Sequence, residues 1–145
     1  MPGHSVPIAA LGGFILFLGF LCFNGGSEMA IVNEGVSLTD GDSHGVRVAR
    51  AFMNSILGGA GGAVSAISLG YVSALLKKEP AYWSLLICMN GGLAGMVASC
   101  AACENMHNAS ALCVGFCAGI TYFWASALVI RCKIDDPIGT VTTKY

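Results

Sequence analysis

The charged residues of this chain lie in a few short segments that long apolar runs separate. The 7 basic and 8 acidic residues all fall within residues 28–50, 77–79, 104 and 131–144. The charge-free runs between these segments cover residues 1–27, 51–76, 80–103 and 105–130. Each run is long enough to cross about 30 Å of hydrocarbon as an α-helix.

This pattern predicts four transmembrane helices, at about residues 7–25, 46–76, 84–102 and 109–130. A charged side chain at the centre of such a helix costs about 2.5 to 3.5 kcal/mol on insertion scales, so four uncharged runs favour a membrane protein over a soluble one. We therefore expect an all-α fold, a polytopic helical bundle in the lipid bilayer. Composition agrees, because mean hydropathy is +0.72. A net charge of -1 gives no reason to expect nucleic acid as a partner.

The basic residues predict how the bundle is oriented. Lys77 and Lys78 lie between the second and third predicted helices, on the same side as Arg131 and Lys133 after the fourth. The positive-inside rule places this side in the cytoplasm. The acidic loop that follows the first helix is then expected to face the outside.

Small residues predict where the helices meet. Three predicted helices carry two glycines four residues apart: Gly58 and Gly62, Gly91 and Gly95, Gly115 and Gly119. Such pairs let helix backbones approach closely in lipid. Asn54 and Asn90 lie at membrane depth, where each amide needs a partner. We expect structural hydrogen bonds for both and favour that role over a place in a pore lining.

Catalytic and metal chemistry find little support in the sequence. Cys100 and Cys103 form a C-x-x-C pair, but this pair and the other cysteines lie on apolar stretches without converging carboxylates or histidines. We expect no metal, no cofactor and no enzymatic activity. The sequon that begins at Asn108 lies almost at the predicted outer membrane surface, where we do not expect glycosylation.

The polar end of the first predicted helix is the strongest candidate for a functional site. Phe20, Phe23 and Ser27 recur at spacings of three and four, so they share one stripe of the helix. An aromatic ring face attracts a partly desolvated cation by about 0.5 to 2 kcal/mol, and a hydroxyl can replace one of its waters. The stripe suggests a pore mouth that meets a small cation or its neutral form. The alternative is that both rings only pack against neighbouring helices.

Four motifs then carry a family resemblance, in the same order along the chain. They are Phe23-Asn24-x-Gly26-Ser27, Ala51-Phe52-x-Asn54, Asn90-Gly91-x-Leu93-Ala94-Gly95-x-Val97 and Asp135-Asp136-Pro137. By these motifs the chain resembles the ammonium transporter family, which includes the Rhesus glycoproteins. The resemblance implies a partial ammonium transporter fold over residues 1–137, followed by a tail at 138–145.

The resemblance also implies a function and a site. It implies a channel-type transporter of ammonium or ammonia, homotrimeric in the full-length family, with one pore in each subunit and a place in the plasma membrane. Phe20 and Ser27 match substrate-binding positions at the outer recruitment site, and Phe23 matches one ring of the pore gate.

The match covers only a central block of the family's subunit. The two pore histidines of the family would fall before residue 1 and soon after Asp136, where residues 138–145 contain no histidine. We therefore expect a fragment or truncated product that is inactive alone. One alternative is a non-conducting membrane subunit that associates with full-length transporters through its glycine faces. Another is an unrelated structural protein with four spans.

Overall fold

The computed structural model describes residues 5–29, 44–78 and 83–132. These residues form four α-helices and no β-strand: α1 (Val6–Gly26), α2 (His44–Leu76), α3 (Leu85–Ser99) and α4 (Asn108–Arg131). All four are long and apolar enough to cross a membrane, when α3 is taken together with the turn that follows it. The predicted all-α fold with four potential membrane spans is confirmed.

The ends of the helices lie within two residues of the predicted ends, with one exception. The third helix is α-helical only to Ser99 and continues as a 3₁₀ turn, Cys100–Ala102. The backbone N–H of Cys100 bonds to the carbonyl of Val97, the tighter pairing that is frequent at helix ends. The predicted tail at 138–145, the Asp135-Asp136-Pro137 motif and most of the acidic loop lie outside the described residues.

Helix α2 is the centre of the bundle. It packs most extensively on α3 and α4, while α1 lies against α2 and α3. The predicted close approach of glycine faces is confirmed, because a Cβ atom at Gly95 or at Gly115 would overlap the carbonyl oxygen of Gly58. A Cβ atom at Gly91 or at Gly119 would likewise overlap the backbone of Gly62. The backbones themselves are therefore in contact.

Small and polar side chains fill the space between the helices. The largest fully buried side chains are those of Asn24, Asn54, Ser55, Ser65 and Ser99. Apart from Met89 and Met96, which are buried, many large apolar side chains point outward, and on α1 they cover most of the helix surface. This inverted arrangement suits helices that pack through backbone contact and hydrogen bonds in an apolar environment.

Contacts between side chains show which helix ends lie together at each of the two ends of the bundle. At one end, Glu28 contacts His44, and Asn54 bonds to the connection between α3 and α4. At the other end, Tyr71 near the end of α2 stacks on Trp83 before α3, with ring centroids 4.9 Å apart. Exposed Lys77 lies at this second end, so the charge pattern predicts that it is the cytoplasmic one. We call the first group the outer end, following the same prediction.

Candidate functional site

The stripe of Phe20, Phe23 and Ser27 follows the border of the buried face of α1. The buried positions on this helix are Ala10, Gly13, Asn24 and Gly25. Phe20 is half-buried, whereas the ring of Phe23 is 65% exposed and Ser27 is exposed. The structure therefore brings the three side chains to one edge of the helix, where Phe20 is partly buried and the other two are exposed. Sequence spacing predicted a shared stripe but not which side of it faces the bundle.

The hydroxyl of Ser27 has a defined direction. It donates a hydrogen bond to the carbonyl oxygen of Phe23 over 2.9 Å, and the backbone N–H of Ser27 bonds to the same oxygen over 3.0 Å. A serine hydroxyl has one donor and two acceptor lone pairs. Because the helix end takes the donor, the lone pairs of the oxygen remain available to accept a hydrogen bond. This arrangement suits a ligand that donates N–H bonds.

Two buried residues fix the end of α1 against α2. The side-chain amide of Asn24 donates to Ser55 Oγ over 2.7 Å, and this hydroxyl in turn donates to the carbonyl of Ala51 over 2.7 Å. The next residue is Gly25, where an added Cβ atom would lie 2.5 Å from the ring of Phe52. Sequence reasoning used Asn24 only as part of a motif and did not predict its role in packing. The sequence feature that could have indicated this role is a side-chain amide at the end of a long apolar run, where it needs a hydrogen-bond partner.

Asn54 connects α2 to the segment between α3 and α4. Its side-chain amide donates to the carbonyls of Cys103 and Met106, each over 2.7 Å. The side chain of Asn54 is fully buried. The predicted structural hydrogen bonds of Asn54 are confirmed.

A charged cluster lies directly after Ser27, and sequence reasoning did not predict it. His44 Nδ1 lies 2.6 Å from Glu28 Oε1, and Arg47 Nη1 lies 3.6 Å from the same oxygen. The hydrogen bond from His44, followed by one from Glu104, lowers the pKa of Glu28. That shared hydrogen bond with Glu28 raises the pKa of Glu104 above its ordinary value. The contacts of His44 and Arg47 with Glu28 join the turn after α1 to the start of α2.

Metal chemistry has no assembled ligand set in the part of the chain that the structure describes. No group of three or more histidine, cysteine, aspartate or glutamate side chains there could hold a metal ion. All seven cysteines are free thiols. Burial raises the pKa of the Cys103 thiol, which makes it a poorer nucleophile at neutral pH.

The comparison with known families decides where the chain belongs. The sequence model of the Ammonium Transporter Family matches residues 1–143, nearly the full length. The chain belongs to this family. The resemblance inferred from the four motifs is confirmed.

Curated relatives of this ammonium transporter family member come from distant organisms. A Caenorhabditis elegans protein named as an ammonium transporter is 45% identical over 136 residues, which are 94% of this chain and 23% of the relative. An ammonium transporter of Methanocaldococcus jannaschii is 36% identical over 137 residues, 94% of this chain and 29% of the relative. A Synechocystis protein that is also named as an ammonium transporter is 33% identical over 136 residues, 94% of this chain and 28% of the relative. The chain thus spans about a quarter of the length of these relatives.

Proposed function

We propose that the chain forms part of a channel-type transporter that moves ammonium or ammonia across a membrane. Phe20 and Ser27 are the substrate-binding residues at the outer entrance, and Phe23 is a gate ring. The observation that carries the proposal is the acceptor oxygen of Ser27 on the same exposed helix edge as the two rings, in a chain of this family. The names of the relatives support ammonium as the substrate.

The chemistry of the stripe accounts for the order of events at the entrance. An arriving ammonium ion loses part of its hydration shell, and the Ser27 oxygen accepts one of its N–H bonds in place of a water. The half-buried Phe20 offers a ring face to the cation, worth about 0.5 to 2 kcal/mol. Phe23 lies one helical turn further into the helix than Ser27, and Phe20 lies almost one turn further still, so the cation meets the gate ring between the Ser27 oxygen and the ring of Phe20.

The proposal includes the assembly and the membrane. We infer a homotrimer with a pore in each subunit, located in the plasma membrane, as the family resemblance implies. The outward-facing apolar side chains of α1 and α4 offer surface for lipid and for neighbouring helices.

The glycine faces weigh against the non-conducting subunit as an alternative. Gly95 and Gly115 both pack on Gly58 inside the chain's own bundle. A role as a subunit that binds full-length transporters would therefore need a different surface.

A chimera tests the proposed function. The segment of the Caenorhabditis elegans relative that aligns with this chain is replaced by this chain, and the product is expressed in cells that lack ammonium transporters. We expect saturable uptake of labelled methylammonium, as for the unmodified relative and unlike the empty vector. A chimera that reaches the plasma membrane as a trimer but conducts nothing would contradict the proposal. Co-purification of the separate chain with the unmodified relative would then favour the non-conducting subunit.

A further inference from the structure

The residue after Ser27 is a carboxylate that the fold withdraws from solvent. The side chain of Glu28 is only 6% exposed, although it lies in a turn beyond the end of α1. Its oxygen Oε1 lies 2.6 Å from His44 Nδ1 and 3.6 Å from Arg47 Nη1. A carboxylate oxygen only accepts hydrogen bonds, so His44 is the donor. Both basic side chains come from the first turn of α2, and their contacts attach the turn after α1 to that helix.

Ser27 lies between two attachments of α1 to α2. Three residues before it, the buried amide of Asn24 donates to Ser55 Oγ over 2.7 Å. One residue after it, Glu28 contacts the start of α2. The hydroxyl and the N–H of Ser27 both bond to the carbonyl of Phe23 within α1, and these bonds do not fix Ser27 relative to α2. Its position relative to α2 therefore depends on the residues at either side.

The backbone directly after Glu28 adopts a conformation that residues with a side chain rarely take. Met29 has a φ of 58°, in the left-handed region, and its N–H bonds to the carbonyl of Gly26 over 3.0 Å. Such a backbone costs free energy for any residue but glycine, and it persists where the surrounding structure holds it. The side chain of Met29 is 94% exposed, so it adds little packing of its own. The adjacent contacts of Glu28 can hold this turn in place.

We propose that Glu28 is a positioning residue that holds Ser27 at the outer entrance through its contacts with His44 and Arg47. Arg47 offsets the charge of Glu28, and little of the Glu28 side chain is exposed, so Glu28 is better placed to hold the turn than to bind a cation. Loss of its contacts releases the turn and weakens recruitment at Ser27, while passage beyond that site is unchanged. The proposal rests on the proposed role of Ser27, but the attachment itself can be measured without transport.

Amide hydrogen exchange of the chain in lipid tests the attachment directly. The N–H groups of Ser27 and Met29 close the turn through their bonds to Phe23 and Gly26. Glu28→Ala removes both contacts with α2, and we expect these two amides to exchange about threefold to tenfold faster. Glu28→Gln, whose side-chain oxygen can still accept from His44, should fall between the alanine variant and wild type. Exchange in α3 should stay at the wild-type rate, which shows that the bundle is intact. Unchanged exchange of both turn amides in Glu28→Ala would overturn the attachment.

Uptake by the chimera shows whether the attachment positions Ser27. At one fixed pH, we expect Glu28→Ala to raise KM for methylammonium about threefold to tenfold and to leave the maximal rate near the wild-type value. Glu28→Gln should again lie between the two. A lower maximal rate with unchanged KM would overturn the positioning role, and so would a wild-type KM in a variant whose turn amides exchange faster. A chimera without any uptake would count against the proposed function, while the exchange result would still decide the attachment.

The basic partners of Glu28 distinguish positioning from direct attraction of the cation. If Glu28 attracted the cation, Arg47→Met, which removes a positive charge beside it, would lower KM. Positioning predicts that Arg47→Met and His44→Ala both raise KM. The double variant of Glu28→Ala with His44→Ala should be little weaker than Glu28→Ala alone, because both changes remove the same contact. The matched control is His107→Ala, which removes an exposed histidine before α4 and should leave KM unchanged. A lower KM in Arg47→Met, or effects of Glu28→Ala and His44→Ala that multiply, would overturn the proposal.

Discussion

Replacing Gly115 by leucine should separate α4 from α2 and abolish the stable bundle. A Cβ atom at Gly115 would overlap the backbone of Gly58, which no side-chain rotation can move aside. Overpacking of a well-packed core costs about 1 to 3 kcal/mol where side chains can adjust, and here only a movement of the whole helix relieves the overlap. We expect little or no folded chain after purification, measured as a monodisperse peak in size-exclusion chromatography in detergent.

Gly12→Leu is the matched control for this substitution. Gly12 lies on α1 with nothing within 4 Å of an added Cβ atom. The same change of residue type there should leave the yield of folded chain near the wild-type value, and the better helix propensity of leucine favours the helix by a fraction of a kcal/mol. Equal losses for both variants would show that the yield responds to added apolar bulk and not to contact between α2 and α4.

Asn54→Leu should lower the thermal stability of the chain by a large amount. The change removes two hydrogen bonds and leaves the carbonyls of Cys103, which is buried, and Met106, which is partly buried, without this donor. An unsatisfied buried polar group costs about 1 to 3 kcal/mol, so loss of both bonds is a major fraction of a typical stability. The measurement is the midpoint of thermal unfolding in detergent, together with amide hydrogen exchange in residues 103–107.

Thr121→Val provides the comparison for Asn54→Leu. Thr121 is exposed on α4, and its hydroxyl donates to the carbonyl of Ala118 over 2.8 Å. Loss of this bond should shift the unfolding midpoint little, because the bond lies within one helix and connects no two elements of the bundle. Faster amide hydrogen exchange confined to residues 103–107 in Asn54→Leu would show that the loss of stability arises at the segment that Asn54 holds. Unchanged exchange in that segment would contradict the bracing role of Asn54.

The sequence predicted the helices well because the free-energy cost of placing a charged side chain in hydrocarbon applies along their whole length. Insertion of charge into hydrocarbon is costly at every position, so charged residues mark the ends of the spans. The glycine pairs predicted close packing because glycine has no side chain, and its positions can be read directly from the sequence. The 3₁₀ turn at Cys100–Ala102 was missed because local backbone geometry at a helix end leaves no periodic signal.

The candidate site was predicted only in part. The spacing of Phe20, Phe23 and Ser27 predicted a shared stripe, since helical periodicity is a local property. The neighbours of that stripe depend on which helices meet. Glu28 finds partners at positions 44 and 47, and their meeting requires α1 and α2 to pack in one register. No local pattern in the sequence encodes that register.

The central claim is that Ser27 recruits ammonium, and uptake by the chimera at low substrate concentration tests it most directly. Ser27→Leu removes the hydroxyl, and a lost hydrogen bond to a charged group costs about 1.5 to 3 kcal/mol, or about tenfold or more in affinity. Ser27→Thr keeps a hydroxyl and is the matched control. The account predicts that Ser27→Leu loses about tenfold of its uptake at low methylammonium, recovers most of it at high methylammonium, and assembles normally, while Ser27→Thr stays near wild type. Unchanged low-concentration uptake in a normally assembled Ser27→Leu chimera would contradict the account.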